Sequence, residues 1–177
     1  MNYATIKKRD VANGTGVRVS LFVSGCTHHC KGCFNAEAWD FNYGEPFTKD
    51  IEDEIITALA PSYIKGFSLL GGEPFEPCNQ VCLVGLLERI RAEYPEKNVW
   101  CYTGYDFERD ILAHRLGDGA VTDRMLKCID VLVDGKFVEE KKDLSLRFRG
   151  SSNQRIIDVQ ESLKTGTIVL SPEMFNA

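Results

Sequence analysis

No stretch of the chain approaches the roughly 20 apolar residues of a transmembrane helix. The opening segment, Met1-Asn2-Tyr3-Ala4-Thr5-Ile6-Lys7-Lys8-Arg9, lacks the apolar centre of a secretion signal. The expected location is the cytoplasm, with no membrane partner and with thiols kept reduced. Positive charge is also short. The net charge of −5 weighs against broad binding to nucleic acid, which needs a basic surface. Internal repeats, low-complexity tracts and linkers are missing, so residues 1–177 read as one domain with room for a sizeable core. Cysteine is not scarce. The seven cysteines are an odd number, which argues against a disulfide framework and for metal or redox chemistry.

Strand-like and helix-like segments alternate. Val17 to Val23 is apolar and β-branched, as a buried strand should be. Further strands are expected at Phe67 to Leu70, Asn98 to Thr103, Asp130 to Asp134 and Arg155 to Val159, with a short edge strand at Thr167 to Leu170. Apolar spacing predicts helices over Thr48 to Ala60, with Thr48 as N-cap, and over Asn79 to Glu93, Phe107 to Leu116 and Val121 to Cys128. This alternation implies a parallel sheet with right-handed crossovers. A complete eight-unit barrel takes about 250 residues. The fold class expected for this shorter chain is α/β, an open partial (β/α) barrel of about five to six units. Residues 139–153 show no clear period and read as a functional loop. The basic residues in and around it, Lys136, Lys141, Lys142, Arg147 and Arg149, form either a solvated loop or a docking surface.

The unusual residues fall at the expected carboxyl ends of the strands, the rim where such sheets carry their active sites. After the first strand comes Gly25-Cys26-Thr27-His28-His29-Cys30-Lys31-Gly32-Cys33-Phe34-Asn35, a C-x3-C-x2-C pattern. A four-iron cluster usually takes four cysteine ligands. Cys26, Cys30 and Cys33 would leave one iron open for a ligand or substrate. Zinc held by the three cysteines with His28 or His29 is the structural alternative, but three ligands crowded together do not match the separated pairs of structural zinc sites. The two histidines otherwise read as exposed loop residues. Gly71-Gly72-Glu73-Pro74 follows the second strand and permits close approach of backbone to a ligand. Thr103 ends the third strand, and Asp134-Gly135-Lys136 ends the fourth, pairing an acid and a base that can bind hydroxyls, carboxylate or phosphate. Cys101 and Cys128 read as small buried hydrophobes, and Cys78 and Cys82, four apart on one helical face, as structural too.

C-x3-C-x2-C followed by an aromatic residue resembles the signature of the radical S-adenosylmethionine (SAM) superfamily. Within it, Gly14 to Arg18, Gly25 to Asn35, Asp130 to Phe137 and Phe148 to Arg155 look like the glycyl-radical activating enzymes, specifically the activators of anaerobic ribonucleoside-triphosphate reductases. The resemblance implies one [4Fe-4S] cluster on Cys26, Cys30 and Cys33, with SAM at the open iron. It implies adenosine contacts from Gly32, Cys33 and Phe34, with Phe34 beside the adenine. It carries Gly71, Gly72 and Glu73 over to the methionyl amino group, and Asp134 and Lys136 to the Asp-x-Lys found at the corresponding strand end; Thr103 is the further ligand candidate. The implied reaction is reductive cleavage of SAM to a 5′-deoxyadenosyl radical, which takes a hydrogen atom from a glycine of the large reductase subunit. A flavodoxin-like protein would donate the electron. An open barrel would admit the substrate loop, and the basic segment from Lys136 to Arg155 is the candidate reductase contact. The alternatives are an activase of another glycyl-radical enzyme, such as a formate-lyase, and a zinc-stabilised interaction module without catalysis.

Overall fold

The computed structural model describes residues 1–175. Its frame is a seven-stranded sheet in the order β3-β1-β2-β4-β5-β6-β7. The strands are β1 (Asn2–Asp10), β2 (Val17–Val23), β3 (Glu45–Pro46), β4 (Ile64–Gly71), β5 (Asn98–Tyr102), β6 (Val131–Asp134) and β7 (Arg155–Asp158). The central four, β2, β4, β5 and β6, are parallel. Helices α1 (Lys49–Leu59), α2 (Pro77–Glu93) and α3 (Gly119–Cys128) make the crossovers between them, and α4 (Val159–Thr165) follows β7. Thr48 caps α1, its hydroxyl accepting the Ile51 N–H at 3.4 Å.

Alternate residues of each strand face opposite sides of the sheet. Val19, Leu21, Phe67, Leu69, Val99, Cys101 and Leu132 pack with Ile55, Leu59, Leu83, Leu87 and Met125 of the helices in the main core. The other face is different. Trp100, Val133 and Ile156 form a small cluster there, with Tyr102 and Phe148 against it. Beside it Arg18 is fully buried, its Nε donating to Ser68 Oγ at 2.6 Å and its Nη1 to Asn98 Oδ1 at 2.7 Å. Its guanidinium lies 5.5 Å from the Trp100 ring centre, and burial lowers its pKa to about 10. Phe148 of the late loop and Met174 near the end of the chain pack over this second face, and Leu70 and Tyr102 on it reach the cleft described below.

Several expectations are corrected. The parallel core has four strands, not five or six units: β7 runs antiparallel to β6, and β1 and β3 extend the other edge as antiparallel strands. The α/β class and the open, unclosed sheet are as expected. Among Thr167 to Leu170 only an isolated bridge forms, Ile157 to Leu170. The expected helix from Phe107 to Leu116 shortens to one π-helical turn, Phe107–Ile111, capped by Asp106. The segment 139–153 is a loop, as expected, with one 3₁₀ turn at Glu139–Lys141 and a bridge from Lys142 to Ser151.

Candidate functional site

β2 and β4 pair in register up to Val23 opposite Gly71, so their carboxyl ends stop at the same level. The cysteine loop leaves one and the glycine turn leaves the other. Between these ends, and under the loop after β6, opens a cleft of about 450 Å³. Cys26, Cys30, Gly32, Cys33 and Phe34 form one wall; Gly71, Gly72, Glu73 and Thr103 form the next. Nine of the eleven expected site residues therefore meet in one cavity, and Asp134 and Lys136 lie outside its wall.

All three loop cysteines are free thiols. Burial pushes the Cys26 thiol up to about 11, against the lowering pull of the His28 and His29 backbone N–H groups. Burial also raises Cys30, opposed by the Phe137 N–H and the charge of Lys136. Such thiols give up protons when a metal binds, and the backbone donors are then in place to stabilise the thiolates. A single zinc with sulfurs at about 2.3 Å would hold them about 3.8 Å apart. Among the described residues only Asp106, Glu108 and Asp134 bring three ligand atoms within 4.8 Å of one another; the cysteine trio is wider. That width leaves room for a multi-iron cluster. Phe34 leaves 86 % of its surface exposed beside the cleft, an apolar platform without a protein partner of its own core.

The glycine turn packs against the cysteine loop. A Cβ on Gly72 would stand 2.5 Å from the Gly25 carbonyl oxygen and 2.9 Å from that of Ala38. Gly71 has φ +116, outside the range of ordinary side chains. Its neighbour Glu73 is fully buried, and both carboxylate oxygens are engaged. Oε1 accepts from Phe75 N–H and the Thr103 hydroxyl, each at 2.8 Å; Oε2 accepts from Gly104 N–H at 2.7 Å and contacts His28 Nε2 at 3.0 Å. Thr103 is thereby a partner of Glu73, while its oxygen also accepts the Tyr105 N–H at 3.0 Å.

His28 is not the exposed loop residue expected. Its side chain is 6 % exposed and its ring packs edge-on against Tyr105 at 4.3 Å. His29 is exposed and stacks on Trp39 at 4.7 Å. Sequence reasoning also missed Glu76, whose Oε1 accepts from the Thr27 N–H and hydroxyl at 2.8 and 2.6 Å. The available signal was an acid directly after the apolar Pro74-Phe75 pair.

Asp134, expected as a ligand, lies outside the cleft wall and already has protein partners. Its carboxylate is buried, accepts the Phe107 N–H at 3.0 Å and pairs with Arg155, whose Nε lies 3.0 Å from Oδ1. Arg155 also forks onto Glu108 at 3.0 and 2.6 Å. The guanidinium supplies the positive charge that Asp134 and Glu108 require, and these carboxylates in turn raise the Arg155 pKa. Lys136 is exposed, and its side chain is a charge near Cys30 rather than part of the cleft wall. Cys101 and Cys128 are buried, as expected, whereas Cys78 and Cys82 are exposed on α2 and take no part in the core.

Residues 12–157 match the model of a family described as a 4Fe-4S single cluster domain. The chain is 47 % identical over 156 residues to the anaerobic ribonucleoside-triphosphate reductase-activating protein of Escherichia coli K12, covering 87 % of this chain and 96 % of that one. The protein of the same name from Vibrio cholerae is 44 % identical over 158 residues, covering 88 % and 97 %. That of Enterobacteria phage T4 is 41 % identical over 156 residues, covering 88 % and 93 %. The cysteine-lined cleft, the matched iron–sulfur domain and relatives that align nearly end to end converge: this chain belongs to the family of anaerobic ribonucleoside-triphosphate reductase-activating proteins.

Proposed function

We propose that the cleft binds SAM against a [4Fe-4S] cluster held by Cys26, Cys30 and Cys33, and that the protein generates a glycyl radical on an anaerobic ribonucleoside-triphosphate reductase. The observation that carries this reading is the set of three free cysteines on the wall of one cleft with Gly71, Gly72 and Glu73. When bound, the cluster supplies the electron that cleaves SAM to the radical that abstracts hydrogen. The chain's own residues do the rest. Cys26, Cys30 and Cys33 hold iron and leave one position without a protein ligand. The Gly71-Gly72 backbone, free of side chains, lets the methionyl group approach the sheet edge. Phe34 offers its exposed ring to the adenine. Glu73 and Thr103 act as a fixed pair at the cleft wall.

Glycine has no side chain to recognise, and hydrogen transfer needs near contact, so a peptide loop must reach into the cleft. Around its mouth, Lys141, Lys142 and Arg147 are exposed, whereas Arg149 donates to the Gln154 carbonyl at 2.9 Å and Arg155 is ion-paired. The first three are the proposed contacts with the reductase. A flavodoxin-like protein is the proposed electron donor. The relatives' names favour a reductase over a formate-lyase as target, and the 4Fe-4S family match opposes a zinc module.

The test is anaerobic reconstitution with iron and sulfide, followed by reduction with SAM. The reading expects about four irons and four sulfides per chain, with methionine and 5′-deoxyadenosine as products. A reconstituted, reduced protein that forms neither product would overturn it.

A further inference from the structure

Glu76 is a buried carboxylate that the cleft leaves unused. It is 5 % exposed, stands immediately before α2 and does not line the cleft. Its backbone carbonyl accepts the Asn79 and Gln80 N–H groups of the first helical turn at 2.9 and 3.0 Å, which ties the residue to α2. Its side chain points the other way, to Thr27. Both the Thr27 N–H and the Thr27 hydroxyl converge on Oε1, and the Tyr105 hydroxyl lies 3.5 Å from the same oxygen. These partners are all neutral donors.

Thr27 sits directly between Cys26 and the rest of the loop that leads to Cys30. The stretch Thr27-His28-His29 has no regular ladder to hold it, so its backbone must be fixed from outside. Two carboxylates of the Gly71-to-Glu76 run do this at adjacent residues: Glu73 meets His28 and Glu76 meets Thr27. Glu73 also lines the cleft. Glu76 has only the support.

We propose that Glu76 is a positioning residue: it sets the Cys26–Cys30 loop against the glycine turn, and it acts as a hydrogen-bond acceptor, not as a charge. The acceptor role follows from its partners. A glutamine presents an equivalent oxygen to the amide and hydroxyl of Thr27, whereas an alanine presents none. These bonds are part-buried, so without the acceptor the Thr27 amide turns to water or the loop moves to find another partner.

The proposal rests on the function given above, but its first readout does not. In the cluster-free protein, exchange of the Thr27 amide hydrogen is followed by nuclear magnetic resonance in wild type, Glu76→Ala and Glu76→Gln. Exchange about tenfold faster is expected in Glu76→Ala, with Glu76→Gln restoring most of the protection. In the reconstituted protein, Glu76→Ala should keep its iron and sulfide yet bind SAM about tenfold more weakly, with an altered electron paramagnetic resonance line shape on SAM addition. Glu76→Gln should return both towards wild type. Wild-type behaviour of Glu76→Ala overturns the proposal, and so does a Glu76→Gln variant as impaired as Glu76→Ala, which would mean that charge is what matters. If Glu76→Ala does not fold, Thr27→Val replaces it, and intermediate amide protection is expected; unchanged protection counts against the proposal. Failure of the wild type to cleave SAM would instead sink the functional reading while leaving the exchange result to decide the brace.

Discussion

His28 Nε2 lies 3.0 Å from Glu73 Oε2, joining the middle of the cysteine loop to the turn that follows β4. The contact is nearly closed to solvent: the two side chains are 6 % and 1 % exposed. A hydrogen bond to a buried carboxylate is worth roughly 1.5–3 kcal/mol. His28→Ala should therefore lower unfolding free energy in urea by about 2 kcal/mol and shorten the lifetime of the assembled cluster in air. Unchanged stability together with unchanged cluster loss would contradict the link.

The three cysteines should be separable from the other four by iron content alone. Alanine at Cys26, Cys30 or Cys33 is expected to abolish SAM cleavage. Alanine at Cys78 or Cys82, both exposed on α2, should leave iron, sulfide and cleavage at wild-type levels. Iron analysis after anaerobic reconstitution reads this directly, and cluster loss from either α2 variant would reassign the ligands.

Arg155 carries two carboxylates, Asp134 and Glu108, that pair with no other cation among the described residues. Asp134 is 2 % exposed, and Arg155→Ala would leave it buried without its counter-charge. Breaking such a pair costs about 3 kcal/mol. Denaturant unfolding should show that loss, while SAM affinity of the folded fraction stays unchanged because Asp134 does not wall the cleft. A selective loss of SAM binding with no loss of stability would restore Asp134 as a ligand.

Gly85 and Gly72 should respond to alanine in opposite ways. Gly85 lies within α2 with open space around it, so Gly85→Ala should stabilise the protein by about 1 kcal/mol through helix propensity. Gly72→Ala drives a methyl into the Gly25 and Ala38 carbonyls and should reduce both stability and cluster retention. Thermal melting with and without reconstitution distinguishes the two effects.

Charge reversal at Lys141, Lys142 and Arg147 should weaken complex formation with the reductase while leaving reductase-free SAM cleavage intact. The wild-type affinity should also fall as salt rises, because exposed charges are screened. Unaltered binding by the triple variant would move the interface elsewhere.

Much of this arrangement was legible from residue order. The apolar run Val17 to Val23, the Thr48 cap and the glycine turn each announce their element, because burial on both faces, an orphaned helix N-terminus and positive φ make specific chemical demands. The direction of β7 was not legible: Arg155 to Asp158 has the same composition whether it runs parallel or antiparallel. Strand β1 was hidden by its charges, since Lys7, Lys8 and Arg9 mark a solvated edge and not a core strand. Within the site, residue type gave away the cysteines but not their supports. An aspartate at a strand end looks alike whether it awaits a ligand or already holds Arg155, and only the fold brings that arginine across from β7.

The pairing of Val23 with Gly71 has a consequence for how such a protein can change its length. The interval between the cysteine loop and the glycine turn is set by strand register, not by the number of residues connecting them. Residues added between Asp40 and Phe47, on the exposed side of the crossover, would leave both strand ends where they are. One residue inserted into β2 or β4 would turn the following side chains over and separate the two motifs. Natural variation in size should therefore gather in the connection and spare the two strands.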